Sequence, residues 1–276
     1  MSIFFTCNDK IYKEGTPVIT PDNRCLKYGD GLFETLKVCN GIIQLRKYHF
    51  ERLFAGMTSL QFKIPKHFTP EFLENKIIEL CKKNQHNSFT RVRLMIFRGN
   101  GNLYQGENTP NYIIQTRSIK RSEKLNANGL IIDVYSDAKK SCDNFASLKS
   151  NNCLPYAIAA LHAQKIKVND CILLNNYDRI CETTIANVFI IKDGIIYTPP
   201  LSEGCVAGVM RRFIIEKLTL SFKIVEKPLS ISHIENADEL FVTNAIRGIR
   251  WVKQCRKSNY KNKLIQDIHR FINRRQ

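Results

Sequence analysis

Apolar and polar residues alternate along this chain with two different periods, and the switches between them divide it into elements. In "IFFTCNDKIYKEG" two short apolar runs flank Asn8-Asp9, which predicts a hairpin. "LFETLKV" alternates as a strand, "CNG" supplies an Asn-Gly turn and "IIQL" returns. The period then lengthens. Tyr48, Leu53, Met57 and Leu60 share a helical face in "RKYHFERLFAGMTSL". "TPEFLENKIIELCKKN" predicts a second helix, capped by Thr69 with Pro70 at its first position. "RVRLMIF" and "YIIQT" restore strand spacing on either side of the loop "RGNGNLYQGENTPN".

The basic stretch "RSIKRSEK" at 117–124 is the linker candidate. It separates an N-terminal α/β domain, 1–116, from a C-terminal domain, 125–276. The second half opens on strand "GLIIDVYS" and a polar loop running down to Lys149. A helix over 154–165 follows, with Leu154, Ile158 and Leu161 at helical spacing, Asn152 as its expected N-cap and Pro155 in the first turn. Next comes a strand meander: "CILLN", the turn "NYDR", "ICETTIANVFII", an Asp193-Gly194 hairpin and "IIYTPP". "GVMRRFIIEKL" reads as a helix, "FKIVEKPL" as a strand, and "ADELFVTNAIRGIRWV" as a strand running into a loop. Strands mixed with helices in both halves make the fold class α/β (α+β).

Composition narrows the class. The 276 residues, 43% hydrophobic and 24% charged, suffice for a large core in two domains. No apolar run reaches membrane-spanning length, and "MSIFFTCNDK" lacks the features of a secretory signal, so no membrane partner is expected. The ten cysteines are scattered without a CxxC pair, which argues against a metal site or a thioredoxin-type motif. They read as reduced thiols of a cytoplasmic protein. The net charge of +17 admits a nucleic-acid-binding protein as an outside alternative. The basic residues are dispersed, however, and no zinc-finger spacing or RNA-recognition aromatic motif accompanies them, so nucleic acid is not the expected partner. An anionic small molecule accounts for the excess equally well.

Several residues could carry chemistry, each with an ordinary alternative. Lys149 precedes a helix and reads alone as a solvated loop lysine. Glu182 lies mid-strand between apolar neighbours, either as an outward carboxylate or as a buried acid that needs a cation. Gly204 and Gly208 precede a helix whose first N–H groups, at Val209 and Met210, could hold an anion, or they mark a simple turn. Arg52 could sit on a helix surface, and Thr243-Asn244 could be a strand-end cap.

Taken together and in order, these stretches resemble the fold-type IV pyridoxal-phosphate enzymes, the class IV aminotransferase family. The matching pieces are "YGDGLFETLKVCNG" (28–41), "HFERL" (49–53), "LKSNN" (148–152), "CETTIANVFIIKDGIIYTPP" (181–200), "GVMRRF" (208–213) and "ADELFVTNA" (237–245). The resemblance implies a two-domain fold, with a smaller N-terminal α/β domain and a larger C-terminal domain built on a β-meander or barrel-like core. It also implies pyridoxal 5'-phosphate in the interdomain cleft and a homodimer acting on a small amino substrate. By the same resemblance Lys149 is the Schiff-base lysine, and Glu182 faces the pyridine nitrogen and keeps it protonated. Arg52, Val209, Met210, Thr243 and Asn244 receive the phosphate.

Within the family the details lean toward the 4-amino-4-deoxychorismate lyases. Met210 stands where aminotransferases usually carry threonine. Phe33 replaces the tyrosine of D-amino-acid aminotransferases, and the loop after Arg98-Gly99 lacks their arginine and histidine. The implied reaction is elimination of pyruvate to give 4-aminobenzoate for folate synthesis, with Thr35 as helper for the proton the departing enol gains. An aminotransferase of branched-chain or other small amino acids is the alternative. Leu103 occupies the place of the lyase loop arginine, so the substrate carboxylate needs another cation. Arg247 and Arg250 are the first candidates and Arg98 the next. Cys153 replaces a family tyrosine after the "KxxN" asparagine, which leaves the cofactor's phenolic oxygen without an assigned partner.

Overall fold

The structure, a computed structural model, describes residues 3–86, 88–120, 124–219 and 221–273. It divides into two compact units. One comprises Met1–Arg121 with Lys149–Asn152, the other Ser122–Leu148 with Cys153–Gln276. Of the expected linker 117–124, residues 121–123 lie outside the described residues.

The first unit holds β1 (Phe4–Cys7), β2 (Lys10–Lys13), α1 (Arg24–Tyr28), β3 (Gly31–Cys39), β4 (Ile42–Ile43), α2 (Arg46–Ser59), α3 (Pro70–Lys83), β5 (Phe89–Phe97) and β6 (Asn111–Ser118). Its antiparallel sheet has the order β2-β1-β6-β5-β3-β4. Both predicted hairpins are present, with Asn8 and Asn40 in the left-handed region that asparagine tolerates. Thr69 caps α3 through the Phe72 N–H at 3.2 Å. β3 alternates strictly. Leu32, Glu34, Leu36 and Val38 are buried, while Phe33, Thr35 and Lys37 turn to the other face. The buried face of α2 is His49, Phe50, Leu53, Gly56 and Met57. Tyr48 and Leu60 are only half-buried, so the inward stripe is shifted by one residue from the face expected from the apolar residues alone.

The second unit holds β7 (Leu130–Lys140), α4 (Leu154–Lys165), β8 (Asp170–Asn175), β9 (Ile180–Thr183), β10 (Asn187–Lys192), β11 (Ile195–Thr198), α5 (Val209–Leu218), β12 (Ile224–Glu226), α6 (Ile231–Glu235), β13 (Glu239–Asn244), β14 (Gly248–Cys255), β15 (Ser258–Asn259) and α7 (Lys263–Asn273). They form a nine-stranded mixed sheet, β12-β11-β10-β13-β14-β7-β8-β9, with β15 on β14. One face buries Ile132, Ile172, Ile180, Val188, Ile190, Leu240, Val242 and Val252. Toward α4, Tyr135, Ala159, Ala163, Cys171 and Leu173 pack together.

Four local readings change. "ICETTIANVFII" is two strands, because Thr183 accepts from the Ala186 N–H and bonds its carbonyl, closing a turn. The expected loop after Asn244 is a tight turn into β14, since Asn244 Oδ1 accepts the N–H groups of Ile246 and Arg247. The N-cap of α4 is Cys153, not Asn152. Its apolar stripe faces outward: Leu154, Ile158 and Leu161 are 71%, 41% and 60% exposed, and small alanines take the inner face. Among the described residues no helix is long and apolar enough to cross a membrane, and all ten cysteines are free thiols.

Candidate active site

In the first unit, Lys149–Asn152 lies along the start of β3. The Phe33 N–H donates to the Lys149 carbonyl at 2.9 Å, and the Asn151 N–H to the Gly31 carbonyl at 3.0 Å. The backbone of Lys149 is thus fixed by sheet-like pairing, and its ammonium rests 4.3 Å from the centre of the Phe33 ring. Arg93 stacks on the same ring at 4.1 Å and is the cross-strand partner of Thr35. Lysine and arginine therefore share one aromatic ring on the less buried face of β3, the face that also carries Thr35. Among the described residues no partner holds the Thr35 hydroxyl. Gly29 shapes the approach: its φ is +65°, and a Cβ there would stand 2.3 Å from Asn152 Oδ1.

On the buried face of β3, Glu34 grips Arg52 bidentately, Nε to Oε1 at 2.7 Å and the second nitrogen to Oε2 at 2.6 Å. His49 Nδ1 lies 2.7 Å from the same Oε2; a carboxylate only accepts, so Nδ1 carries the proton. Burial alone would raise the Glu34 pKa, but Arg52 and then His49 outweigh it and hold it at about 2. The guanidinium is thereby locked in orientation.

In the second unit, Glu182 is 4% exposed and its two oxygens are treated differently. Oε1 accepts from Lys140 Nζ at 2.7 Å, from the Tyr156 hydroxyl at 2.7 Å and from the Val206 N–H at 3.0 Å. Oε2 has only Asn187 Nδ2 at 3.4 Å. A charged donor such as a protonated ring nitrogen fits that undersupplied oxygen. Burial, and then the Glu182 charge, push the Tyr156 hydroxyl far up, so it donates.

The start of α5 is open. Gly208 is the N-cap, no side chain caps it and no acidic residue occupies the first turn. A Cβ on Gly208 would lie 1.8 Å from Asn187 Oδ1, so only glycine fits. The N-terminal dipole of this ten-residue helix, which begins at Val209 and Met210, suits a negatively charged group such as a phosphate. Asn187 pairs with Thr243 across the sheet. The Thr243 hydroxyl donates to the Gly248 carbonyl at 3.1 Å, and Asn244 organises the following turn.

The arginines expected at the substrate end each have a defined setting within their own unit. Arg98 is tied to Asp30, to Asn108 at 3.1 Å and to the Leu60 carbonyl, with its guanidinium over Phe62; it anchors its loop. Arg247 is exposed in the turn. Arg250 pairs with Val242, so alternation puts it on the Val242–Val252 face of the sheet, opposite Asn187 and Thr243. Burial and then Arg247 lower its pKa, and its Nε is buried without a partner.

Sequence reasoning missed Glu34, His49, Arg93, Lys140 and Tyr156. A signal existed for Glu34, which falls on the apolar beat of "LFETLKV", and for Arg93, on the outward beat of "RVRLMIF". Lys140 gave none, because β7 continues past an irregular register between Tyr135 and Lys139.

The family model for amino-transferase class IV matches residues 31–255. A Methanocaldococcus jannaschii protein named "Putative branched-chain-amino-acid aminotransferase" is 27% identical over 264 residues, covering 95% of this chain and 91% of its own. Aminodeoxychorismate lyase of Bacillus subtilis is 28% identical over 260 residues, 92% of this chain and 87% of the relative. The crystal structure of a branched-chain aminotransferase from Thermoproteus uzoniensis with norvaline shares the fold at a TM-score of 0.86 and 21% identity, over 99% of this chain and 94% of that one.

Proposed function

The chain belongs to the amino-transferase class IV family, and from that premise we propose that it is a pyridoxal-phosphate lyase that converts 4-amino-4-deoxychorismate into pyruvate and 4-aminobenzoate. Thr35 carries the reading. Its unclaimed hydroxyl shares a strand face with Phe33, the ring on which Lys149 rests. When bound, the cofactor supplies a sink for the electron pair left as a proton departs from the substrate. Lys149 would hold the cofactor and, once freed by the substrate amine, would take that proton from the ring carbon. In the second unit Glu182 would offer Oε2 to the pyridine nitrogen, and the first N–H groups of α5 with the Thr243-Asn244 turn would receive the phosphate; in the first unit Arg52 is the residue proposed for the same anion. The bond from the ring to the enolpyruvyl oxygen breaks, the ring becomes aromatic, and Thr35 gives a proton to the enol methylene. One substrate yields one pyruvate and one 4-aminobenzoate, with no oxidant consumed. Arg93 serves as cation for a substrate carboxylate, the role expected of Arg247, Arg250 or Arg98; its place on the Phe33 ring supports this.

The second reading is an aminotransferase of branched-chain or small amino acids, favoured by the same pairing of an arginine with the apolar Phe33. Purified protein given 4-amino-4-deoxychorismate should release equimolar 4-aminobenzoate and pyruvate. Amino transfer from leucine or valine to 2-oxoglutarate, without that release, would install the second reading. The outward stripe of Leu154, Ile158 and Leu161 supports a homodimer, which light scattering would register as twice the 31.9 kDa chain mass. Ten free thiols suit the reducing cytoplasm.

A further inference from the structure

Glu182 is not a bare carboxylate. Lys140, 8% exposed and projecting from the end of β7, holds it in a buried ion pair at 2.7 Å and also touches the Tyr156 hydroxyl. A lysine is rarely buried without a task, since its ammonium must give up water. All three firm donors converge on Oε1, so this cation neutralises the carboxylate from the side that leaves Oε2 open. The other titratable groups around the pair do not offset it. Burial and then Glu182 push the Cys205 thiol up to about 12, burial raises Cys181 also, and Tyr156 stays a neutral donor. Arg211, on α5, is engaged by the Pro199 carbonyl and Glu226.

We propose that Lys140 is a positioning residue that sets the proton affinity of the cofactor's ring nitrogen by sharing Glu182 with it. The inference rests on reading Glu182 as the carboxylate that meets that nitrogen. An ammonium on the same carboxylate opposes a second positive charge, so the ring nitrogen gives up its proton at a lower pH than Glu182 alone would impose. Lys140 thereby limits the strength of the electron sink, which a merely structural ion pair would leave unchanged.

The test uses holoenzyme loaded with pyridoxal phosphate labelled with nitrogen-15 in the ring, and follows the ring-nitrogen chemical shift against pH. Lys140→Gln removes the charge but keeps a donor to Oε1, and should raise the pH of nitrogen deprotonation by roughly 1–2 units. Lys140→Arg keeps the charge and should titrate as the wild type does. If Lys140→Gln fails to load cofactor, Lys140→Met read the same way carries the test. An unchanged titration in the neutral variant overturns the proposal, provided Glu182→Gln in the same experiment does move the signal. If Glu182→Gln is silent too, the reading of Glu182 itself falls.

Discussion

The Glu34–Arg52–His49 cluster makes a quantitative claim about stability. Glu34 is buried, and its pKa falls from the ordinary 4.5 to about 2 because Arg52 and His49 outweigh the burial that would raise it. A drop of that size corresponds to roughly 3 kcal/mol favouring the folded state when Glu34 is ionised. A folded pKa below the unfolded one stabilises above the unfolded value, and the contribution disappears as pH falls through the folded value. Glu34→Gln should therefore cost about 3 kcal/mol at neutral pH, or on the order of 6–12 °C in the melting of its unit, since it strands a largely buried arginine. The assay is thermal and urea unfolding of wild type and variant from pH 7 down to pH 2. The difference between them should be constant above about 4.5 and shrink steadily toward about 2. A variant as stable as wild type at pH 7, or a difference that persists undiminished at pH 2, would refute the electrostatic account of Arg52.

Gly208→Ala should weaken cofactor binding at least tenfold, measured by absorbance titration, because its Cβ would collide with Asn187 Oδ1 at 1.8 Å. Arg93→Ala should raise KM roughly 100-fold while the cofactor spectrum stays intact, whereas Arg250→Ala should leave KM near wild type; the reverse pattern would return the carboxylate to Arg250. Thr35→Val should cut kcat by about 10²–10³ without changing cofactor affinity, which single-turnover measurements would resolve.

The two periodicities made most elements legible, because hairpin turns at Asn8 and Asn40 and the Thr69-Pro70 cap are local chemistry. Lys149 and Glu182 stood out only through their order along the chain; the apolar neighbours of Glu182 left burial and outward exposure both open. Glu34 could have been found, since a charge on the apolar beat of a strand demands a partner. Lys140 could not, because a register irregularity carries β7 beyond the end of its apolar pattern. The stripe on α4 shows the limit of periodicity: Leu154, Ile158 and Leu161 share a face, but spacing does not say whether the same chain covers it. The face that Arg250 occupies was illegible for a similar reason. Reading a loop where a tight turn stands loses the alternation that fixes a side chain's face.

The central claim is that Lys149 carries the cofactor. Borohydride reduction of the purified holoenzyme, followed by peptide mapping, tests it most directly, because the protein holds a second lysine, Lys140, buried against Glu182. The account predicts a single phosphopyridoxyl label on the peptide containing "SLKSNN", lost in Lys149→Ala. A label on Lys140, or one that survives the Lys149→Ala substitution, would contradict it.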